Sequence, residues 1–233
     1  MNTLNSTGSV LSNTDTNEVQ ELFFEGIVGT SNLYCFSIAD KTAHPGYDDV
    51  HELFSDCGIY IYAVKIPEDS DDFSPYDIED VKQAVSDGKL ERIGIIEGSN
   101  AFFGGDFDFD AFYACDAMSA ELGGIAFELC KEFPHNFFVI DEIALKKKYN
   151  TPKIRDVILL QLPNILHQTL SICTDFFVYP KHSATRHQVR TETLSRMFGE
   201  PVEIMLPKHF REHEFKILSD NIYYKEAYID MPY

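Results

Sequence analysis

The sequence predicts an α/β fold of the α+β kind, a mixed sheet flanked by helices. Three observations predict it. Short runs of β-branched and aromatic residues alternate with longer stretches of helical periodicity. The C-terminal end reads strand, helix, strand, helix, strand, strand, the order of a mixed sheet. A chain of 233 residues with 44% hydrophobic and 24% charged residues has the size and composition to bury one sizeable core.

Residues 1–20 are rich in Asn, Thr and Ser, with few large apolar residues, and are expected to be disordered. The rest, 21–233, reads as one domain with an acidic half (21–130) and a second half (131–233) that carries the motifs. Residues 33–38 (LYCFSI) read as a strand and 48–56 (DDVHELFSD) as a short Asp-capped helix. Residues 58–66 (GIYIYAVKI) are the clearest strand of the acidic half, followed by a charged loop, 67–77. Ile78, Val81 and Val85 have helical spacing, and 90–97 (LERIGIIE) reads as a strand stopped by Gly98-Ser99-Asn100. In 102–112 (FFGGDFDFDAF) Asp alternates with Phe. Either this is a strand with a charged outer face, or Asp110 caps a helix running to about 129, weakened at Gly123-Gly124.

Residues 137–145 (FFVIDEIAL) form a strand with two acids in its middle, followed by the basic turn Lys146-Lys147-Lys148. A helical stripe covers 154–170, with a kink expected at Pro163. A strand at 175–179 ends at Pro180. A polar helix at 184–198 follows, with Val189, Leu194, Met197 and Phe198 turned inward, and strands at 202–206 and 221–229 close the chain.

Composition excludes several functions. No apolar run is long enough to span a membrane, and the N-terminus lacks the basic and apolar regions of a signal peptide. The five cysteines are scattered and form no C-x-x-C, so a reduced, cytoplasmic protein is expected. Asp106, Asp108 and Asp110 do not make a calcium loop, because Ala111 holds the glycine place and Ala117 the place of the closing Glu. The histidines have no metal-site spacing, and neither G-x-S-x-G nor G-x-G-x-x-G occurs. Lys and Arg number 19 against 38 Asp and Glu, for a net charge of −19. Residues 1–130 hold 25 acids and 5 bases, while 131–233 hold 13 acids and 14 bases. Direct nucleic-acid binding is therefore not expected. The acidity serves either solubility or attraction of a basic partner.

The run FFVIDEIALKKKYNTPKIRDVILLQLPNIL, followed by CTDFFVYP and LSRMFGEPVEI, resembles the GNAT superfamily of N-acetyltransferases over roughly residues 110–200. It looks like that family's central strand, phosphate loop and following helix, then the next strand and the end of the last helix. The resemblance implies acyl transfer from acetyl-CoA to an amine. Pantetheine would pair with the central strand's backbone at Ile143, Ala144 and Leu145. The pyrophosphate would sit on backbone N–H groups at the next helix N-terminus, around Lys153, Ile154, Arg155 and Asp156. This loop departs from the family pattern. Thr151, Lys153 and Arg155 take the three glycine places, and Pro152 removes an N–H donor.

Within the resemblance, Glu142 on the central strand is the candidate base and Tyr179 the candidate acid, since no Tyr stands before Gly199. The basic turn at 146–148 either attracts the 3′-phosphate of CoA or balances the acidic half. Two functions follow as expectations. One is an N-acetyltransferase acting on an amine. The other is a catalytically degenerate GNAT-like protein whose acidic half binds a basic, nucleic-acid-binding protein.

Overall fold

The computed structural model describes residues 19–27, 30–38, 54–64, 78–101, 123–125, 127, 136–170, 172–219 and 221–227. Five strands run antiparallel in sequence: β1 (Val19–Ile27), β2 (Thr30–Ile38), β3 (Phe54–Val64), β4 (Leu90–Ala101) and β5 (Phe137–Lys146). Helix α1 (Ile78–Ser86) joins β3 to β4, and α2 (Pro152–Leu170) joins β5 to β6 (Phe176–Pro180), which lies parallel to β5. Helix α3 (Ala184–Phe198), β7 (Val202–Ile204), α4 (Pro207–Glu212), β8 (Lys216–Ser219) and β9 (Ile222–Glu226) complete the chain. The order across the sheet is β1-β2-β3-β4-β5-β6-β9-β8, with β7 paired to β5 outside this path. The fold is thus α/β with a mixed sheet, as the sequence predicts.

Alternation along β3 divides the two faces. Ile59, Ile61 and Ala63 join the cluster under α2, whose stripe Ile154, Ile158, Leu162, Ile165 and Leu166 is fully or nearly fully buried. Tyr60, Tyr62 and Val64 face the other way. There α1 contributes Val81 and Ala84, and α3 contributes Leu194 and Phe198. Fully burying one such Leu or Ile contributes about 1.5–3 kcal/mol, so the α2 face is the main source of stability.

Several expectations need correction. Residues 54–56, assigned to a short helix, belong to β3, because they pair with residues 99–101 of β4. The rest of that predicted helix, the Phe/Asp alternation at 102–112 and the start of the N-terminal segment lie outside the described residues. Residues 123–125 are helical. Strand β1 begins at Val19, inside the segment expected to be disordered. Pro163 lies inside α2, in keeping with the helical stripe expected over 154–170. On α3, Val189 and Met197 are 59% and 41% exposed. Its inner face is completed instead by partly buried Arg190, which meets Glu97 and Glu142 on the sheet. No described helix is long and apolar enough to cross a membrane.

Candidate functional site

The two acids in the middle of β5 create a local problem. Strict alternation beyond Phe138 and Ile140 would send Glu142 into the apolar layer beneath α2. A bulge prevents this. Glu97 pairs with Glu142 while Gly98 pairs with Ile140, so Asp141 is an extra residue on β5. The phase shifts, Ile143 and Leu145 take the places under α2, and Glu142 turns to the α3 face. Gly98 makes the close approach possible, since a Cβ there would strike the Val139 carbonyl and the Phe138 ring.

Helix α3 answers the two acids with two arginines one turn apart. Its start is fixed by Ser183, whose hydroxyl accepts from the Arg186 N–H, and its end by Gly199 at φ 67°. Arg186 reaches Asp141 at 3.4 Å. Arg190 bridges Glu97 and Glu142, which face each other across the β4–β5 ladder. One guanidinium shared by two carboxylates leaves one negative charge uncompensated. Burial, then the hydrogen bond with Glu97, pushes the Glu142 carboxyl up to about 8. His182 Nε2–H donates to the Asp141 carbonyl (3.0 Å), and burial holds its imidazole down at about 4.

Tyr179 lies at the same end of the sheet but points into the core. It is fully buried and stacked on Phe210 at 3.9 Å, and its hydroxyl donates to the Met205 carbonyl at 3.4 Å. Burial raises its phenol strongly. Proton donation from Tyr179 is therefore opposed by its surroundings.

The backbone of β5 at Ile143, Ala144 and Leu145 is already paired. Strand β4 holds one edge throughout. On the other edge β6 pairs only as far as Val139, and from Ala144 onward β7 takes its place: Ala144 faces Ile204, Leu145 faces Glu203 and Lys146 faces Val202. Met205 N–H donates to the Ile143 carbonyl at 2.8 Å, and Lys147 N–H to the Pro201 carbonyl at 2.8 Å. The gap between β5 and β6 is thus filled by the chain itself, with Met205 and Phe210 buried behind β7.

The start of α2 is capped by its own side chain. Thr151 is the cap and Pro152 the first helical residue, a pairing the sequence Thr-Pro favours. Ile154 N–H donates to Thr151 Oγ1 at 3.4 Å and Arg155 N–H to the Thr151 carbonyl at 3.1 Å. The Ile154 side chain is in the core, the Arg155 guanidinium donates to Asn150, and Asp156 pairs with His213 at 2.9 Å. Lys153 is exposed. A cleft of about 450 Å³ opens beside this turn, lined by Asn150, Arg155, Thr191, Glu203, Lys208 and His209.

The basic turn balances acids. Lys146, nearly buried, contacts Glu91 at 2.8 Å and Glu200 at 3.0 Å, Lys148 contacts both as well, and Lys147 lies 3.8 Å from Glu203. Burial would raise Glu91. Hydrogen bonds from Lys146, Lys148 and Tyr149 outweigh it and hold the carboxyl at about 2.

No family model, curated protein or solved structure matches the chain.

The candidate residues therefore fall into separate places: Glu142 in a polar cluster under α3, Tyr179 in the core, 143–145 beneath β7, and 153–156 at a self-capped helix start. Glu97, Arg186 and Arg190 were not singled out from the sequence. The i, i+4 spacing of the two arginines, opposite consecutive acids on a strand, was the available signal.

Proposed function

We propose that this chain is a GNAT-like protein that does not hold acetyl-CoA in that family's manner and acts instead as an acidic binding protein for a basic, nucleic-acid-binding partner. One observation carries the reading. The β5 edge on which pantetheine would pair is closed by β7, with Met205 N–H on the Ile143 carbonyl at 2.8 Å. The self-capped start of α2 and the lysines of the basic turn support it, since Thr151 already takes the Ile154 N–H and the lysines already contact Glu91, Glu200 and Glu203. The choice of partner rests on charge. With 25 acids and 5 bases in residues 1–130, long-range attraction favours a cationic protein surface. The thiols of Cys35 and Cys173 fit a reducing, cytoplasmic setting.

Two measurements test the reading. Calorimetric titration with acetyl-CoA is expected to give no binding heat, and saturable binding overturns the first half. A low-salt pull-down, followed by direct binding of the purified partner, is expected to weaken steeply with salt. It should weaken again when Asp69, Asp71 and Asp72 are reversed to Lys. Binding indifferent to both changes overturns the second half.

A second reading, N-acetyl transfer to an amine, draws on a different observation. Glu142 is a buried carboxyl with a raised pKa beside a facing carboxylate, the setting of a general base. The cleft by Arg155 and Lys208 would take the phosphates. Its test is acetyl-CoA consumption over a panel of amines, lost in Glu142→Gln.

A further inference from the structure

A second cleft, of about 380 Å³, lies on the opposite face of the sheet from α2, between α1 and α3, lined by Tyr62, Val85, Arg92, Lys146 and Phe198. Its volume is at the lower end of the range of small-molecule sites, roughly 300–1,000 Å³. Tyr62, Phe198 and Val85 supply the apolar part of its wall, and Arg92 and Lys146 supply two cations. Val85, 40% exposed on α1, stands at its side.

Arg92 is the unusual member. It projects from β4 with its guanidinium between two rings, 4.8 Å from the Tyr60 centroid and 4.8 Å from the Phe198 centroid. One N–H donates to the Met197 carbonyl at the end of α3, at 3.2 Å. That bond engages one of five donors. Among the described residues no carboxylate lies within ion-pair distance of it, although the chain carries twice as many acids as bases. The nearby acids are committed elsewhere, Glu91 and Glu200 to Lys146 and Lys148. Among the described residues, Arg92, Lys146 and Lys148 around the cleft face only Glu91 and Glu200, which leaves one positive charge uncompensated there. A planar guanidinium held by stacking is pre-organised to take a carboxylate bidentately, with little further loss of side-chain freedom.

We infer that this cleft is a binding site for a small carboxylate carrying a flat apolar group, the carboxylate on Arg92 and the apolar body against Tyr62, Phe198 and Val85. The inference does not depend on the function proposed above, because it concerns neither the β5 edge nor the acidic half of the chain.

The probe is 1-naphthoate, with neutral 1-naphthamide as its control, titrated into the full chain by calorimetry at low salt. Naphthoate is expected to bind about tenfold or more tightly than the amide, as befits a charge-assisted bidentate contact. Arg92→Gln should abolish that preference. Val85→Trp, which fills the mouth from an exposed position, should weaken both ligands about tenfold while the unfolding midpoint stays in place. Equal affinity for the two probes, or no saturable binding of naphthoate at low millimolar concentration, overturns the inference. Should Arg92→Gln fail to fold, Val85→Trp decides alone: unchanged naphthoate affinity in that variant overturns the site.

Discussion

Replacing Arg190 by Met removes the one cation shared by Glu97 and Glu142 while keeping a long apolar stem against the sheet. The Glu142 side chain is 8% exposed, Glu97 29% and Arg190 36%. Breaking a fully buried ion pair costs about 3–5 kcal/mol and an exposed one about 0–1 kcal/mol. With one buried member of three, a loss of about 2–3 kcal/mol at pH 8.5 is expected. The loss must depend on pH. Glu142 is raised above its unfolded value, so between about pH 4.3 and about pH 8 the native state keeps a proton that the unfolded chain has released. Its contribution is therefore complete below pH 4.3 and is lost as pH rises through 8, at up to about 1.4 kcal/mol per pH unit. Without Arg190 the ionised form is worse still. The cost of the substitution should then shrink to about 1 kcal/mol near pH 5, where Glu142 is protonated and only the exposed contact to Glu97 is missed. Urea denaturation of both proteins at pH 5 and pH 8.5 reads this directly. A cost below about 0.5 kcal/mol at both values, or a cost independent of pH, would show that the three side chains do not act as one buried cluster.

Other outcomes follow from the same contacts. Glu142→Gln should flatten the fall in stability between pH 5 and 8 and leave the variant more stable than the parent above pH 8, as read by the same denaturation curves. Glu91, held at about 2, contributes stability that is complete above about pH 4.3 and lost as pH falls through 2. Glu91→Gln should therefore cost about 2–3 kcal/mol at pH 7 and almost nothing near pH 2. Gly98→Ala puts a methyl against the Val139 carbonyl and the Phe138 ring, so it should cost more than about 3 kcal/mol or prevent folding, seen as loss of the cooperative melt.

Much of the C-terminal half was legible because its elements are locally dictated. The apolar stripe of α2, the β-branched runs of β5 and β6, and the Ser and Gly that bound α3 all act over a few residues. Long-range consequences were not legible. Strict alternation does not reveal that Asp141 is an extra residue, because the bulge is set by the pairing of Gly98 with Ile140. Strand β7 reads as an ordinary short strand, and nothing local says that its partner is the far edge of β5. The same holds for Lys146-Lys147-Lys148: three lysines in a turn look like an open basic patch until Glu91, Glu200 and Glu203 arrive from other elements. Val189 and Met197 were expected inside α3 on hydrophobicity alone, but the acids on β4 and β5 draw Arg190 to that face instead.

On the proposed reading, β7 occupies the β5 edge where a pantetheine chain would pair. Amide hydrogen exchange at Met205 and Lys147, whose N–H groups donate to the Ile143 and Pro201 carbonyls, tests it most directly. Both amides are expected to exchange slowly, on the timescale of global unfolding, and at the same rate with or without millimolar acetyl-CoA. Fast exchange at Met205 and Lys147 in the free protein, or exchange that changes when acetyl-CoA is added, would contradict the claim and return the edge to the cofactor.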